Sequence, residues 1–392
     1  MYPTISDALK DLFGINIPLP LPSFGFFVAI SFLLAAYFFT LELKRKEKNG
    51  LLKPTWKTVT IGAPASMQDL FLNGLFGFAL GFKLPILVME YSQFVANPPS
   101  YILSGKGYFI GGVIGAAIAI YLRKKEADKL KLDSPKTEQQ KMQPHEHVSN
   151  MTLIAAVAGI LGAKLFHNLE NLDELMADPI GALTSFSGLS IYGGLILGGG
   201  SVLFYAVKNG MTWIHVADAC APGLMAAYGM GRVGCQVAGD GDWGVPNNAT
   251  QPEWLSFLPD WTWAYGYPNN VLGIDLGEPN RPVEIIENGI PYIYTGNAWP
   301  TPFYETVMAF IIFGILWSLR KRIEIPGIIF SIYLALNGIE RFVIEQIRIN
   351  PDYHFAGLGF TQAEMIAVIL FLSGIVGIAY FTKNKNKYIP QL

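Results

Sequence analysis

The sequence predicts an all-α polytopic membrane protein with about nine transmembrane helices. Hydrophobic residues make up 51% of the 392 positions and charged residues only 15%, whereas about a quarter of a soluble domain is charged. Apolar runs long enough to cross about 30 Å of hydrocarbon alternate with short polar segments. Lysine and arginine gather in alternate segments, which indicates a fixed orientation in a bilayer. Two cysteines, Cys220 and Cys235, are too few for a disulfide framework.

The apolar runs set the predicted helices and the charges set their direction. The predicted spans are residues 23–41, 68–90, 107–122, 151–169, 189–207, 213–230, 301–319, 326–346 and 361–382. Twenty of the twenty-eight lysines and arginines lie in segments that this count places on one side. By the positive-inside rule that side is cytoplasmic, so we expect the N-terminus outside and the C-terminus in the cytoplasm. The first span precedes its basic residues, which does not fit a cleaved signal peptide.

A degenerate repeat joins two of the predicted hairpins. Residues 78–84 match residues 159–165 at an offset of 81, and 96–98 match 177–179 at the same offset. An even number of crossings separates the copies, so both hairpins have the same orientation, unlike the inverted repeats of many transporters.

We therefore divide the chain into three parts. These are N-terminal helices with an extra hairpin (1–122), a polar, mobile cytoplasmic linker (123–150) and a transmembrane core (151–392) with an outer loop at 233–300. In the linker we expect His145 and His147 to be solvated.

The stretch 230–244 is the strongest candidate for a functional site. Arg232 closes an apolar helix at the predicted outer boundary, where a guanidinium can bind a lipid phosphate with two parallel hydrogen bonds. Gly231, Gly234, Asp240 and Gly244 surround it.

A second group of ionisable residues lies in the penultimate span. Arg341, Glu345 and Arg348 are spaced so that they share one helix face. Charges at that depth are costly, about 2.5–3.5 kcal/mol each, and usually mark function. The alternative is an ion pair between Arg341 and Glu345 that only joins helices.

Three further features admit two interpretations. Tyr192, Gly193 and Gly194 begin a glycine-rich helix at the predicted depth of Arg232, although such glycines usually serve helix packing. His167 ends its own helix and is either an interfacial polar group or a base. The outer loop carries many aromatic residues, which we expect mainly to anchor it at the headgroup layer: Trp243, Trp254, Trp261, Trp263, Trp299, Tyr265, Tyr267, Tyr292 and Tyr294.

Taken together, these motifs resemble the prolipoprotein diacylglyceryl transferases of bacterial plasma membranes. The stretch 231–244 is similar to that family's signature, 340–348 to its second arginine motif, and 190–195 to its His-Gly-Gly-Leu turn. The likeness covers roughly 150–382. This chain departs from the family pattern at several positions: Tyr192 stands for the histidine, Cys235 and Gln236 for Asn-Phe, Ala238 for an asparagine, and Asp240 for the glutamate.

The resemblance implies a multi-pass enzyme of the bacterial plasma membrane. It would move the sn-1,2-diacylglyceryl group of phosphatidylglycerol to the lipobox cysteine of an exported prolipoprotein and release glycerol phosphate. Arg232 and Arg341 would clamp the phosphate, with Glu345 and Asp240 orienting them. Arg348 and the five glycines named above would complete the lipid site.

The identity of the base stays open at this stage. Tyr192 is a poor base near neutral pH, so the proton could go to the leaving phosphate or to His167. We expect no cofactor, no metal and no nucleic acid partner. The alternatives are a phospholipid-binding transporter or other non-catalytic lipid-binding relative, and a related transferase with another acceptor.

Overall fold

The architecture is taken from a computed structural model of the chain. The structure describes residues 1–17, 21–91, 94, 105–132, 134–184, 190–287, 290–350, 352–355 and 358–388. The predicted repeat at 96–98 lies outside these residues.

Within the described residues, nine helices of 18 residues or more dominate the fold, and each coincides with one predicted span. They are α2 (Ser23–Lys48), α3 (Met67–Met89), α4 (Phe109–Lys129), α5 (Val148–Glu170), α8 (Ile191–Lys208), α9 (Trp213–Ala238), α10 (Thr301–Leu319), α11 (Ile328–Glu345) and α12 (Gln362–Lys383). Four short helices complete the set: α1 (Ile5–Phe13), α6 (Leu172–Ala177), α7 (Pro179–Thr184) and α13 (Lys385–Tyr388).

The polytopic helical fold class is confirmed. Six of the long helices in the described part are apolar and long enough to cross a membrane: α2, α3, α5 with the turn before it, α8, α10 and α12. Helices α9 and α11, which are not among these six, carry Arg232, Arg341 and Glu345 of the candidate site. The number of crossings and their direction remain predictions.

Helices α2, α9, α10 and α11 form the centre of the molecule. Helix α9 packs along both α2 and α10, and α11 packs on α12. Ala221 and Met225 of α9 are buried against Ala309, Ile312 and Leu316 of α10. A second cluster, around Leu43 and Met151, joins α2 to α5 and α8.

Two helical hairpins in the structure correspond to the predicted repeat. Helix α3 packs on α4, and α5 packs on α8. In the first hairpin a methyl group added at Gly81 would lie 2.1 Å from the carbonyl oxygen of Gly111. In the second, a methyl added at Gly162 would lie 2.3 Å from that of Gly193. Gly81 and Gly162 are 81 residues apart, so the repeat places equivalent glycines at both helix contacts.

The described residues of the segment 123–150 lie mostly in regular elements, which corrects our expectation of a mobile linker. Helix α4 continues to Lys129, and strand β2 (Lys136–Met142) pairs antiparallel with β1 (Thr55–Ile61) to form a two-stranded ribbon beneath the α3–α4 hairpin. The strands are about eighty residues apart, and a polar, exposed strand has no apolar alternation that would reveal it.

The expectation of two solvated linker histidines was wrong for His147, whereas the side chain of His145 is 26% exposed. His145 Nδ1 lies 2.8 Å from a carboxylate oxygen of Glu47. His147 is buried, with Nδ1 3.1 Å from the Tyr205 hydroxyl.

Buried ion pairs join the basic ends of the central helices. Arg320, after α10, donates to Glu42 of α2 at 2.8 Å. Asp218 of α9 accepts hydrogen bonds from the backbone of Gly327 at 2.7 Å and Phe330 at 2.9 Å, which caps the start of α11. The basic segments 44–57 and 320–322 therefore lie at the same end of the molecule.

The loop between α9 and α10 folds into a cap over the opposite end. It contains 3₁₀ turns and the hairpin of β3 (Val283–Glu287) and β4 (Ile290–Tyr294), and a third hairpin, β5 (Asp352–Phe355) and β6 (Leu358–Thr361), follows α11. The core of this cap contains three buried aromatic side chains, those of Trp243, Tyr267 and Tyr294. Interfacial anchoring was thus the wrong interpretation for these three, because they pack on one another within the cap. Trp254 remains exposed.

Candidate functional site

The site begins where α9 ends. The helix runs to Ala238, two turns beyond the predicted span, so Arg232 lies within the helix. Gly239 then adopts a left-handed conformation, with φ of 63°, and its N–H donates to the Cys235 carbonyl. This glycine stops the helix and turns the chain back over Arg232.

Glu305 of α10 lies at the centre of the site, and three arginines surround it. Its carboxylate is 3.3 Å from Nε of Arg232, 3.4 Å from Nη1 of Arg348 and 3.8 Å from Nη1 of Arg341. The side chain is fully buried. One carboxylate thus gathers guanidinium groups from α9, from α11 and from the turn after α11.

Asp242 forms a second bridge between two of these arginines. It is paired with Nη1 of Arg232 and, at 2.8 Å, with Nη2 of Arg348. Burial alone would raise the pKa of Asp242, but Arg348 and then Arg232 outweigh it and lower the pKa to about 2.

Asp240 lies near Arg232 but forms none of the ion pairs that the structure shows with the three arginines in its described part. Its carboxylate accepts a hydrogen bond from the backbone N–H of Asp242 at 3.4 Å. Burial, and then the charge of Asp242, raise its pKa. The left-handed turns at Gly239 and Gly241 bring the later aspartate, Asp242, onto Arg232. The predicted orienting role of Asp240 stays a prediction, and Asp242 is the aspartate that is paired with the arginines.

Glu345 is paired with Arg341 on the same helix. Its carboxylate lies 2.6 Å from Nη2 of Arg341, one helical turn earlier. The hydroxyl of Thr361 donates to Glu345 at 2.6 Å and the side chain of Asn350 at 2.7 Å. Because Glu345 is fixed by two further donors, Arg341 is held towards Glu305.

The predicted glycines of the signature allow close approach of chain segments. A methyl added at Gly234 would lie 2.9 Å from Phe27 of α2, and one at Gly244 would lie 2.2 Å from the Ile347 carbonyl oxygen. Gly231 is less crowded, with Ser31 3.8 Å away. Gly244 thereby lets the turn after α9 pack on the turn after α11, which carries Arg348.

Tyr192, Gly193, Gly194 and His167 lie on the neighbouring hairpin of α5 and α8. Gly193 is packed against Gly162, and Gly194 faces Gly159, so both contribute to helix packing. Tyr192 is half-buried in the first turn of α8. His167 is in the last turn of α5, with Nδ1 3.2 Å from the Asn171 amide.

One group of side chains in the described region has ligand types that could hold a metal. Cys235, Asp240 and Asp242 place a ligand atom each within 4.8 Å of one another. However, Asp242 is already paired with two arginines, and their positive charge disfavours a second cation.

Sequence reasoning missed Glu305 and Asp242. Glu305 is the one acidic residue in the predicted span 301–319, and a lone carboxylate at membrane depth is itself a signal for function. Tyr228, one turn before Arg232, was also missed, since a tyrosine in an apolar run attracts no attention.

The fold and the site define a class of protein: a polytopic membrane protein with a buried arginine and carboxylate cluster, under a folded cap, where α9 and α11 end and α10 begins. A family model described as prolipoprotein diacylglyceryl transferase matches residues 130–380. This chain belongs to the prolipoprotein diacylglyceryl transferase family.

Curated relatives agree with this assignment. All three described here are named phosphatidylglycerol–prolipoprotein diacylglyceryl transferase. The Streptococcus uberis protein is 29% identical over 285 residues, which cover 70% of this chain and 90% of the relative. The Oceanobacillus iheyensis protein is 26% identical over 284 residues, which cover 71% of this chain and 86% of the relative. The Clostridium tetani protein is 25% identical over 248 residues, which cover 63% of this chain and 83% of the relative.

Proposed function

We propose that this chain transfers the sn-1,2-diacylglyceryl group from phosphatidylglycerol to the lipobox cysteine of an exported prolipoprotein in the bacterial plasma membrane. The observation that carries this proposal is the meeting of Arg232, Arg341 and Arg348 around Glu305 in the chain segments that match the family.

The three arginines would bind the phosphate diester and stabilise the leaving group. A guanidinium has five N–H donors. Within the described residues, the ion pairs of Arg232 use Nε and Nη1, which leaves Nη2 available to a phosphate oxygen. The side chains of the three arginines are 13–19% exposed, so a headgroup can reach them. In such a water-poor site fixed cations stabilise the growing charge on the phosphate.

The reaction exchanges one bond at a glycerol carbon. The cysteine sulfur attacks the carbon that carries the phosphate ester, a carbon–sulfur bond forms, and the carbon–oxygen bond breaks. The oxygen leaves with the electron pair as part of glycerol phosphate. The sulfur must first lose its proton, because the thiolate is the nucleophile.

Asp240 is the best-placed proton acceptor near the arginines. It is half-buried beside Asp242, its raised pKa brings it closer to the range of a useful base, and it stands where the family has a glutamate. Tyr192 would hydrogen-bond the phosphate from α8, and normal activity of Tyr192→Phe would remove that role. His167 remains an alternative acceptor, and normal activity of His167→Gln would exclude it.

A depletion experiment tests the proposed function. The chain is expressed in bacteria whose own transferase is switched off, beside an Arg341→Ala variant. We expect the chain to restore growth and lipoprotein modification, and the variant to reach the membrane without doing so. No restoration by a chain that is correctly inserted, or full restoration by the variant, would contradict the proposal.

A further inference from the structure

Glu340 is a buried acid beneath the arginines, and the proposed reaction gives this acid no role. It lies on α11 and is 3% exposed. The hydroxyl of Tyr228 lies 3.2 Å from one Glu340 oxygen and 2.9 Å from one Glu305 oxygen. Tyr228 therefore bridges two carboxyl groups from different helices.

A proton count shows that the two carboxyl groups differ. A phenol hydroxyl has one proton to donate, and an ionised carboxylate can only accept. If both acids were ionised, the phenol proton could serve only one of them. The other carboxylate would then face a lone pair of the Tyr228 hydroxyl oxygen, which is strongly unfavourable in a buried site. One of the two acids must supply a proton.

The arginines decide which acid is protonated. Glu305 forms ion pairs with Arg232, Arg341 and Arg348, each within 4 Å of its carboxylate. The guanidinium of Arg341, next to Glu340 in sequence, is directed to Glu305 and Glu345 instead. The proton therefore belongs on Glu340, which donates to Tyr228 while Tyr228 donates to Glu305.

We propose that Glu340 is a positioning residue that must stay protonated for the site to bind phosphate. The three arginines are paired with three carboxylates, those of Glu305, Glu345 and Asp242. An ionised Glu340 would add a fourth negative charge and oppose a phosphate at the same arginines. This effect on the lipid rests on the proposed function, whereas the protonation itself does not.

The inference predicts an alkaline limit on substrate binding. The charged or titratable groups facing Glu340 are Tyr228 and Arg232 of α9, Glu305 of α10, and Tyr333 and Arg341 of its own helix. As rising pH ionises Glu340, the KM for phosphatidylglycerol should rise about tenfold for each further pH unit, as for a single titrating group, with kcat little changed. In Glu340→Gln the amide donates to Tyr228 at every pH, so this rise should disappear.

Infrared spectroscopy tests the protonation without any need for activity. The protein in lipid nanodiscs is compared with Glu340→Gln and with Glu284→Gln, an exposed acid of the outer cap. We expect a band from a buried protonated carboxyl group at neutral pH that is lost only in Glu340→Gln. A spectrum of Glu340→Gln identical to that of the parent protein would overturn the proposal.

Two further arms keep the test decisive. If Glu340→Gln does not fold, Tyr228→Phe replaces it: the acid band should shift as the proton loses its acceptor, and an unshifted band overturns the proposal. If Glu340→Gln shows the same KM against pH as the parent, the link to phosphate binding is refuted. A parent protein without transferase activity would contradict the proposed function, while the infrared result would still decide the protonation.

Discussion

Arg232 shows why the site needs arginine and not another cation. Its Nε contacts Glu305 of α10 while its Nη1 contacts Asp242 of the following turn. A planar guanidinium can make these contacts at fixed angles and still offer a further edge to a phosphate. A lysine ammonium is a point charge on a flexible stem and cannot bridge both carboxylates in the same way.

The first prediction follows from that geometry. Arg232→Lys should lower the transfer rate by about two to three orders of magnitude, the usual effect of losing one fixed donor to a developing charge. The control is Arg281→Lys, which changes an exposed arginine paired with Asp275 in the cap. We expect the control to transfer lipid normally, and a comparable rate in both variants would contradict the clamp.

The pKa of Asp242 gives a prediction for stability against pH. Because the folded protein lowers this pKa from 3.8 to about 2, the ionised side chain stabilises the fold above pH 3.8, and this contribution is lost as the pH falls towards 2. The difference in melting temperature between the parent and Asp242→Asn, measured in detergent, should therefore be largest above pH 4 and shrink below it. A difference that stays constant from pH 6 to pH 2.5 would rule out the ion pairs.

Among single residues, the arginines of the site could be predicted from the sequence, whereas the carboxylates of Glu305 and Asp242 could not. Arg232 and Arg341 stand out because arginines at membrane depth are rare and costly. Glu305 and Asp242 depend on where other segments fold: Glu305 is shared by arginines far along the chain, and only the turns at Gly239 and Gly241 decide that Asp242, and not Asp240, meets Arg232.

Among the elements, the hairpin of α5 and α8 depends on backbone contact. Gly162 and Gly193 face each other so closely that each lies where the other's side chain would be. Small residues let helices approach in a bilayer, where apolar side chains gain little from association. The hairpin presents Tyr192 and His167 at the end where α9 carries Arg232, so its packing sets their position.

Two alanine substitutions on one helix test this packing. Gly193→Ala should destabilise the protein by about 1–3 kcal/mol, the range for an overpacked contact. Gly199→Ala, six residues further along α8, adds its methyl group where nothing lies within 4 Å and should be silent. The measurement is the thermal midpoint of each purified variant. Equal midpoints for the two variants would show that Gly193 is not confined by α5.

The helices could be predicted from the sequence and the ribbons could not. All nine long helices of the described residues fall on apolar runs of the sequence, because such a run is a strong local signal. Strands β1 and β2 gain their structure only from pairing with each other across the α3–α4 hairpin, and the polar sequence of β2 reads as a linker. The aromatic core of the cap could not be predicted either, because membrane anchoring and burial favour the same side chains.

In the whole molecule, the α3–α4 hairpin stands apart from the part that matches the family. The match begins at residue 130, just after α4 ends at Lys129. The two-stranded ribbon carries the chain from α2 to this hairpin and back to α5. The transferase core should therefore work without it.

Removal of the hairpin tests this division. Thr55 and Met142 are cross-strand partners, so a short Gly-Ser linker between them can replace residues 56–141 without displacing α2 or α5. We expect the shortened protein to insert and to retain most of its transfer rate. A correctly inserted protein with no activity would show that the hairpin belongs to the catalytic unit.

The most direct test of the central claim is the balance of products. The purified chain in phosphatidylglycerol vesicles is given a peptide with a lipobox cysteine, and both lipidated peptide and free glycerol phosphate are measured over time. The account predicts one glycerol phosphate for each lipidated peptide, and neither product from Arg341→Ala. Binding of phosphatidylglycerol without release of glycerol phosphate would contradict it and indicate a lipid-binding protein in place of a transferase.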